Sequence, residues 1–167
     1  MNSPFRLLVI ACGTTYGKPP PHDHCVYLAH HQPYAKLYGV EGRPPVANPH
    51  YVESLRPLDG QHPSVRDYIF QDREAHWRRQ KLDKHLVWLF ETVSSKQRCE
   101  IPELVGATYE VDGIVVHEPY VIVTLCTGGK HRSQAFAMYI SEKATELAAE
   151  HGVELEVEVL FRDKGRE

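Results

Sequence analysis

The 167-residue sequence contains few cysteines and no long hydrophobic run. Its cysteines (Cys12, Cys25, Cys99 and Cys126) lie far apart and form no Cys-x-x-Cys pair, which argues against a disulfide framework and for a reducing compartment. The apolar run from Leu7 to Ala11 is too short for a signal peptide, and no run approaches the roughly 20 apolar residues that span a bilayer. We therefore expect a cytoplasmic protein with free thiols and no membrane partner.

The sequence also has no large excess of charge of one sign, no internal repeat and no low-complexity tract. The formal net charge is −3, with 42% hydrophobic and 25% charged residues, which is the composition of an ordinary globular protein. This composition argues against a disordered chain and against a strongly basic nucleic-acid binder. The length suits one domain over residues 1–167, and any anion site must be a local feature.

Three segments predict the strands of a mostly parallel sheet. Phe5 to Gly13 and Tyr120 to Cys126 are continuous apolar runs, as in strands covered on both faces. Val153 to Phe161 alternates apolar residues with glutamates, which predicts a strand with one wet face near an edge of the sheet. A helical segment, Ser133 to Gly152, joins the last two strands as a βαβ unit. The fold class is therefore α/β, with a mostly parallel sheet and helices on both faces.

The sequence also predicts two further helices and two irregular segments. A short helix opens at Pro63, and a longer one over residues 75–93 carries an apolar stripe. The segments near 31–47 and 95–118 read as surface insertions, and Asp112-Gly113 in the second predicts the turn of a small hairpin.

The loop after the Tyr120 to Cys126 strand has the pattern of an anion site. A five-residue loop that starts at a strand end and finishes in the first turn of a helix can point several backbone N–H groups at one anion, with favourable potential from the helix dipole. Arg132 can hold two oxygens through its planar guanidinium. The candidate phosphate-binding residues are Thr127, Gly128, Gly129, Lys130, His131, Arg132 and Ser133.

The same loop has the Cys-x5-Arg-Ser spacing of thiol-dependent phosphatases, which leaves catalysis open as an alternative. Cys126 would then be the nucleophile and Arg132 the group that holds the phosphate. Against hydrolysis, Leu125 stands where those phosphatases usually carry histidine, and no aspartate is placed by sequence as a general acid. We favour binding, and we expect neither catalysis nor a cofactor.

Three motifs together resemble the family of the C-terminal domain of the RNase adapter protein RapZ. They are "GTTYGKP" after the first strand, "NPHYVESLRPLDG" over Asn48 to Gly60, and "CTGGKHRS" over Cys126 to Ser133. The resemblance implies a Rossmann-like parallel sheet similar to phosphofructokinase. It also implies a regulatory domain that senses the phosphosugar glucosamine-6-phosphate, contacts RNA and a ribonuclease, and forms a homo-oligomer.

The resemblance also implies roles for individual residues. Thr127, Gly128, Gly129, His131 and Arg132 would hold the phosphate, while His50 and Arg56 would face the sugar. The turn that begins at Gly13 would meet the rest of the ligand, because parallel strands bring their following loops to one edge. The chain has no Walker-type glycine loop, so ATP binding is not inferred from the family. The basic tail of the family is reduced to "FRDKGRE", which weakens the RNA alternative.

Two further clusters have a plain and a functional interpretation. "HDHC", from His22 to Cys25, could bind zinc with His30 or His31, but no second cluster has ligand spacing, and we expect no metal site. The segment from Asp72 to His85 concentrates five basic residues on one helix, and a solvated helix face is favoured over a nucleic-acid contact.

Overall fold

The computed structural model of the chain describes residues 4–95, 98–100, 107–111 and 113–166. The helices and strands follow in the order β1 Phe5–Gly13, β2 His24–Tyr27, α1 Tyr34–Leu37, α2 Pro63–Phe70, α3 Arg73–Ser94, β3 Arg98–Glu100, β4 Ala107–Val111, β5 Ile114–His117, β6 Tyr120–Cys126, α4 Arg132–Glu150 and β7 Leu155–Phe161. Single 3-10 turns lie at Thr14–Tyr16 and Pro49–Tyr51. No helix in the described ranges is both long enough and apolar enough to cross a bilayer.

The main sheet is parallel, with strand order β2-β6-β1-β7. The central strands β1 and β6 pair so that Gly13 lies opposite Cys126, so the loops that follow both strands start at the same edge. β7 occupies an outer position, where its glutamates are exposed and alternate with half-buried apolar residues. The predicted α/β class, the parallel central pair and the wet outer strand are confirmed.

A second, antiparallel sheet of β3, β4 and β5 belongs to the segment predicted as a surface insertion. Val111 pairs with Ile114, and Gly113 between them has φ +84°, a left-handed conformation that favours glycine. Of the predicted Asp112-Gly113 turn, Asp112 lies outside the described residues. The antiparallel pairing on either side is that of a hairpin.

Helices cover the two faces of the main sheet unequally. On one face, alternate β1 residues from Phe5 to Ala11 pack against the apolar sides of α2, α3 and α4. On the other face, Ile10 and Cys12 pack under the four-residue helix α1 and its neighbours, through buried Ala35 and Val40. The segment around α1, predicted as a surface excursion, therefore contributes to the core.

Helix α3 carries the predicted apolar stripe, and all of its members are buried: Leu82, Leu86, Leu89, Phe90 and Val93. The prediction of a solvated basic face is wrong for Arg78, which is 2% exposed. Arg78 forms an ion pair with Glu74 one turn earlier and donates to the carbonyl oxygens of Tyr27 and Ala29. Burial and two neighbouring arginines lower its pKa to about 10, so the side chain remains charged at neutral pH.

Two histidines join β2 to α3. The imidazole of His24 stacks on that of His85, with ring centroids 3.7 Å apart, and Nε2 of His85 lies 2.7 Å from the hydroxyl of Tyr120. Burial, the proximity of His85 and that of His22 lower the pKa of His24 to about 4, and burial lowers the pKa of His85 as well. Both rings are therefore neutral at pH 7.

This pair predicts a loss of stability in mild acid. The unfolded chain protonates His24 near pH 6.5 and the folded chain only near pH 4, so the unfolded state gains protons first as the pH falls. We expect the free energy of unfolding to decrease by about 2 kcal/mol between pH 6.5 and pH 4, since partial exposure reduces the full effect of the pKa shift. Urea unfolding at a series of pH values measures this.

The matched variants are His24→Gln and His76→Gln, the latter on the exposed side of α3. The first should flatten the pH dependence and the second should keep it. An equal slope in His24→Gln and the parent protein would contradict the prediction.

Candidate functional site

A cavity lies where the loops after β1 and β6 meet, at the carboxyl ends of the parallel strands. We call it the loop cavity. Its volume is about 520 Å³. It is lined by Tyr16, Ala29, His30, His31, Pro45, Asn48, His50, Tyr51, Arg56, Cys126, Thr127, Gly128, Lys130, His131 and Arg132. Ligands of open α/β sheets bind at this position.

The floor of the loop cavity is the turn from Cys126 to α4. The N–H of Gly129 donates to Sγ of Cys126 at 3.2 Å, and Gly129 has φ +74°. Within the described ranges, the backbone N–H groups of Gly128, Lys130 and His131 donate no hydrogen bond. The first turn of α4 has no side-chain cap either. These backbone donors are available to an anion.

Close backbone contact fixes this turn against the end of β1. A Cβ atom on Gly13 would lie 2.5 Å from the carbonyl carbon of Gly128, so only glycine fits there. The N–H of Thr15 donates to the carbonyl of Thr127 at 3.1 Å. The 3-10 turn after β1 is thereby attached to the loop, and it contributes Tyr16 to the cavity wall.

Arg132 is a buried cation at the cavity. Its residue exposure is 4%, and Nη1 donates to the carbonyl oxygens of Leu28 and Val46 at 3.1 and 3.0 Å. No carboxylate pairs with Arg132 in the part of the chain that the structure describes. The hydrogen bonds to two neutral carbonyls orient the guanidinium and leave its charge without a counterion, which is costly for a buried group.

A second wall of the cavity comes from the segment around the Pro49–Tyr51 turn. Asn48 caps this turn by accepting from the N–H of His50, and Nε of Arg56 donates to the carbonyl of His50 at 2.6 Å. Nε2 of His131 lies 3.2 Å from the carbonyl oxygen of Arg56. Burial lowers the pKa of His131, so its ring is neutral at pH 7 and donates to that carbonyl.

The charges around the loop cavity have one sign. Arg56, Lys130 and Arg132 are cationic, and no aspartate or glutamate lines the cavity among the described residues. This local excess contrasts with the net charge of −3 of the whole chain. A low-dielectric concave site with this charge concentrates anions.

All but three of the predicted site residues line the loop cavity. The exceptions are Gly13, Gly129 and Ser133. Gly13 and Gly129 support the loop from behind, while Ser133 is fully buried and its Oγ has no hydrogen-bond partner in the described ranges. The alternative nucleophile Cys126 does line the cavity, at 2% exposure.

Sequence reasoning missed the charged pair that follows β7. The carboxylate of Asp163 is buried and accepts from the N–H of Gly13 at 2.7 Å. Arg162 pairs with Asp163 at 2.9 Å and donates to the carbonyl of Gly13 at 3.0 Å. The sequence contained a signal for this pair, because it follows a predicted parallel strand directly, and ligands bind at the carboxyl ends of such strands.

The histidines of the predicted zinc alternative are separated by the fold. His24 stacks on His85, whereas His30 and His31 line the loop cavity. Within the described ranges, no group of three or more His, Cys, Asp or Glu side chains is arranged so that it could hold a metal ion.

Comparison with known proteins gives consistent matches. A family model described as the RapZ C-terminal domain matches residues 43–164, which include the second and third motifs singled out in the sequence. A nucleotide-binding protein of Mycolicibacterium smegmatis is 37% identical over 121 residues, covering 72% of this chain and 33% of the relative. One from Mycobacterium avium is 38% identical over 122 residues, covering 72% and 33%. One from Thermobifida fusca is 36% identical over 121 residues, covering 72% and 32%. The chain spans about a third of the length of the curated relatives it matches.

Proposed function

This chain belongs to the RapZ C-terminal domain family, and from that premise we propose that it is a regulatory module that binds a phosphosugar in the loop cavity. The observation that carries the proposal is Arg132, a buried cation with no carboxylate partner among the described residues, beside backbone N–H groups that lack acceptors. A bound phosphate would supply the missing negative charge and accept several of these hydrogen bonds.

The rest of the cavity supports a sugar phosphate over free phosphate. Its volume of about 520 Å³ exceeds what one phosphate fills and lies in the range of small-molecule sites. Asn48, His50 and Tyr51 line the wall formed by the Pro49–Tyr51 turn and can hydrogen-bond to hydroxyl groups. The name of the relatives, nucleotide-binding protein, is consistent with a phosphorylated ligand.

The charges that line the loop cavity also affect whether an amino sugar is preferred. An ammonium group on the ligand would find no carboxylate among the described lining residues. We therefore expect glucose 6-phosphate to bind at least as tightly as glucosamine 6-phosphate. Calorimetric titration with both ligands and with inorganic phosphate ranks them, and a tenfold preference for the amino sugar would contradict this point.

The central test is the loss of the Arg132 charge. Arg132→Ala should weaken phosphosugar binding by at least about 30-fold, because charge-assisted hydrogen bonds contribute roughly 1.5–3 kcal/mol each. Since Arg132 also holds the carbonyls of Leu28 and Val46, Lys130→Gln serves as a milder second variant, with an expected loss of about fivefold.

The matched control is Lys36→Gln, an exposed lysine on α1 that does not line the cavity. Circular dichroism of each variant shows whether it is folded. Parent-like affinity in both Arg132→Ala and Lys130→Gln would overturn the proposal.

Catalysis by Cys126 is the second candidate function. The thiol lines the cavity, and the N–H of Gly129 donates to its sulfur, as a thiolate nucleophile would require. The described cavity lining offers no carboxylate as a general acid, which favours binding. Phosphatase assays on the parent and on Cys126→Ser separate the two: under the binding proposal neither hydrolyses p-nitrophenyl phosphate and both bind phosphate.

RNA binding is the third alternative, implied by the family. Arg73, Lys81 and Lys84 are exposed on α3 and would be the contacts. Binding to structured RNA that weakens steeply with salt would promote this alternative, because each phosphate contact releases counterions.

A further inference from the structure

We propose that the chain has a second small-molecule site, which takes a planar aromatic ligand with a carboxylate group, in a cavity between β2 and α3. We call it the β2–α3 cavity. It encloses about 460 Å³, within the range of ligand-binding sites, and shares no lining residue with the loop cavity. The segment from Tyr27 to His31 runs between the two cavities: Tyr27 lines the β2–α3 cavity, and Ala29 to His31 line the loop cavity.

Five of the twelve residues that line the β2–α3 cavity have aromatic side chains. They are His24, Tyr27, Tyr38, Trp77 and His85. The remaining lining includes the apolar side chains of Val26, Val40 and Leu82. Flat ring faces and aliphatic groups favour a planar apolar ligand body, because stacked and edge-to-face ring contacts add to the energy of burial.

The aromatic walls are held in place by contacts with one another and with residues outside the cavity. His85 is fixed by the Tyr120 hydroxyl and stacks on His24. The guanidinium of Arg43 lies over the Trp77 ring, 3.5 Å from its centroid. The hydroxyl of Tyr27 accepts from the N–H of His31 at 3.1 Å. A preformed wall loses little side-chain entropy when a ligand binds.

Charge selects the ligand class. No aspartate or glutamate lines the β2–α3 cavity within the described ranges. Of its two cations, Arg78 is occupied by Glu74 and backbone carbonyls, whereas the exposed Lys81 has no ion-pair partner in the described part of the chain. The Lys81 ammonium lies 5.4 Å from the centroid of the Trp77 ring. An anionic group on an aromatic ligand would meet Lys81 while its ring lies among the aromatic walls.

The experiment uses 1-naphthoate as the probe and its uncharged analogue 1-naphthamide as the ligand control. The chain has two tryptophans, so the indole N–H signals in a nitrogen–proton correlation spectrum report on two places at once. Titration with naphthoate should shift the Trp77 signal saturably and more strongly than the signal of Trp88, which does not line the cavity. Naphthamide should bind at least about tenfold more weakly.

Two lysine variants measure the contribution of Lys81 to binding. Lys81→Gln should reduce naphthoate affinity to the level of naphthamide, whereas Lys84→Gln, an exposed lysine of α3 outside the cavity, should bind as the parent does. Inorganic phosphate should leave naphthoate binding unchanged, since the two cavities are separate. An unmoved Trp77 signal at millimolar naphthoate, equal affinity for naphthoate and naphthamide, or displacement of naphthoate by phosphate would each overturn the proposal.

Discussion

Replacing Gly60 with alanine is expected to lower the free energy of unfolding by about 3 kcal/mol and to abolish anion binding in the protein that still folds. A Cβ atom at this position would lie 2.1 Å from the carbonyl oxygen of His131 and 2.6 Å from the backbone nitrogen of Ala135. Both are backbone atoms at the start of α4, so no side-chain rotation relieves the clash. The first turn of α4 must move, and with it the loop that ends there.

The Gly60 contact also includes a hydrogen bond. Its N–H donates to the carbonyl oxygen of Lys130 at 2.8 Å. This bond joins the segment after the Pro49–Tyr51 turn to the loop of residues 127–131 between β6 and α4, which we call the anion loop. The displacement forced by alanine strains this bond as well. Chemical denaturation measures the change in unfolding free energy, and calorimetry with inorganic phosphate measures the loss of binding.

Gly128→Ala is the matched control for stability. Gly128 lies in the anion loop itself, but a Cβ atom there would have no neighbour within 4 Å. Its free energy of unfolding should stay within about 0.5 kcal/mol of the parent, as for substitutions that create no clash. Equal stability of Gly60→Ala and Gly128→Ala would show that the close approach at Gly60 is not required.

The central part of the fold could be predicted because its determinants are local. The apolar composition of the runs from Phe5 to Gly13 and from Tyr120 to Cys126 is enough to predict buried strands. A glycine-rich turn and a helix-forming segment follow the second run, so the parallel pairing and a loop at the strand end follow from chain topology. The structure confirms this pairing, with Gly13 opposite Cys126.

The four-residue elements could not be predicted in the same way. β2, His24–Tyr27, is too short to show a period, and it is a strand because it pairs with the outer side of β6. Helix α1, Tyr34–Leu37, lies in a segment rich in glycine and proline. Its place over the second face of the sheet depends on tertiary packing of Ala35, which a sequence pattern does not specify.

The sequence pattern also did not show which charged side chains are buried. Arg78 resembles its exposed neighbours on α3 in residue type, and it is buried because the carbonyls of Tyr27 and Ala29 lie within its reach. The i, i+4 spacing of Glu74 and Arg78 was visible in the sequence but does not distinguish a surface pair from a buried one. The acceptors that decide its burial come from a distant part of the chain.

Replacing Asp163 with alanine is expected to destabilise the protein by about 2–3 kcal/mol and to weaken phosphate binding. Its buried carboxylate accepts from the N–H of Gly13 and pairs with Arg162, so alanine leaves a buried donor without an acceptor and a half-buried cation without its partner. The turn after β1 then loses its hydrogen bond to the Asp163 carboxylate and keeps the bonds that Arg162 donates to its carbonyl oxygens. Because this turn supports the anion loop through Gly13 and Thr15, the binding site loosens together with the fold.

Asp163→Asn and Asp67→Ala sharpen this test of the carboxylate. The asparagine oxygen can still accept from the N–H of Gly13 but does not neutralise Arg162, so we expect about half of the loss seen in Asp163→Ala. Asp67 is an exposed carboxylate on α2, and its removal should change the free energy of unfolding by less than about 0.5 kcal/mol. Urea unfolding and phosphate titration of the three variants measure both effects. If Asp163→Ala keeps the stability and affinity of Asp67→Ala, the link from β7 through Gly13 to the anion loop does not support the site.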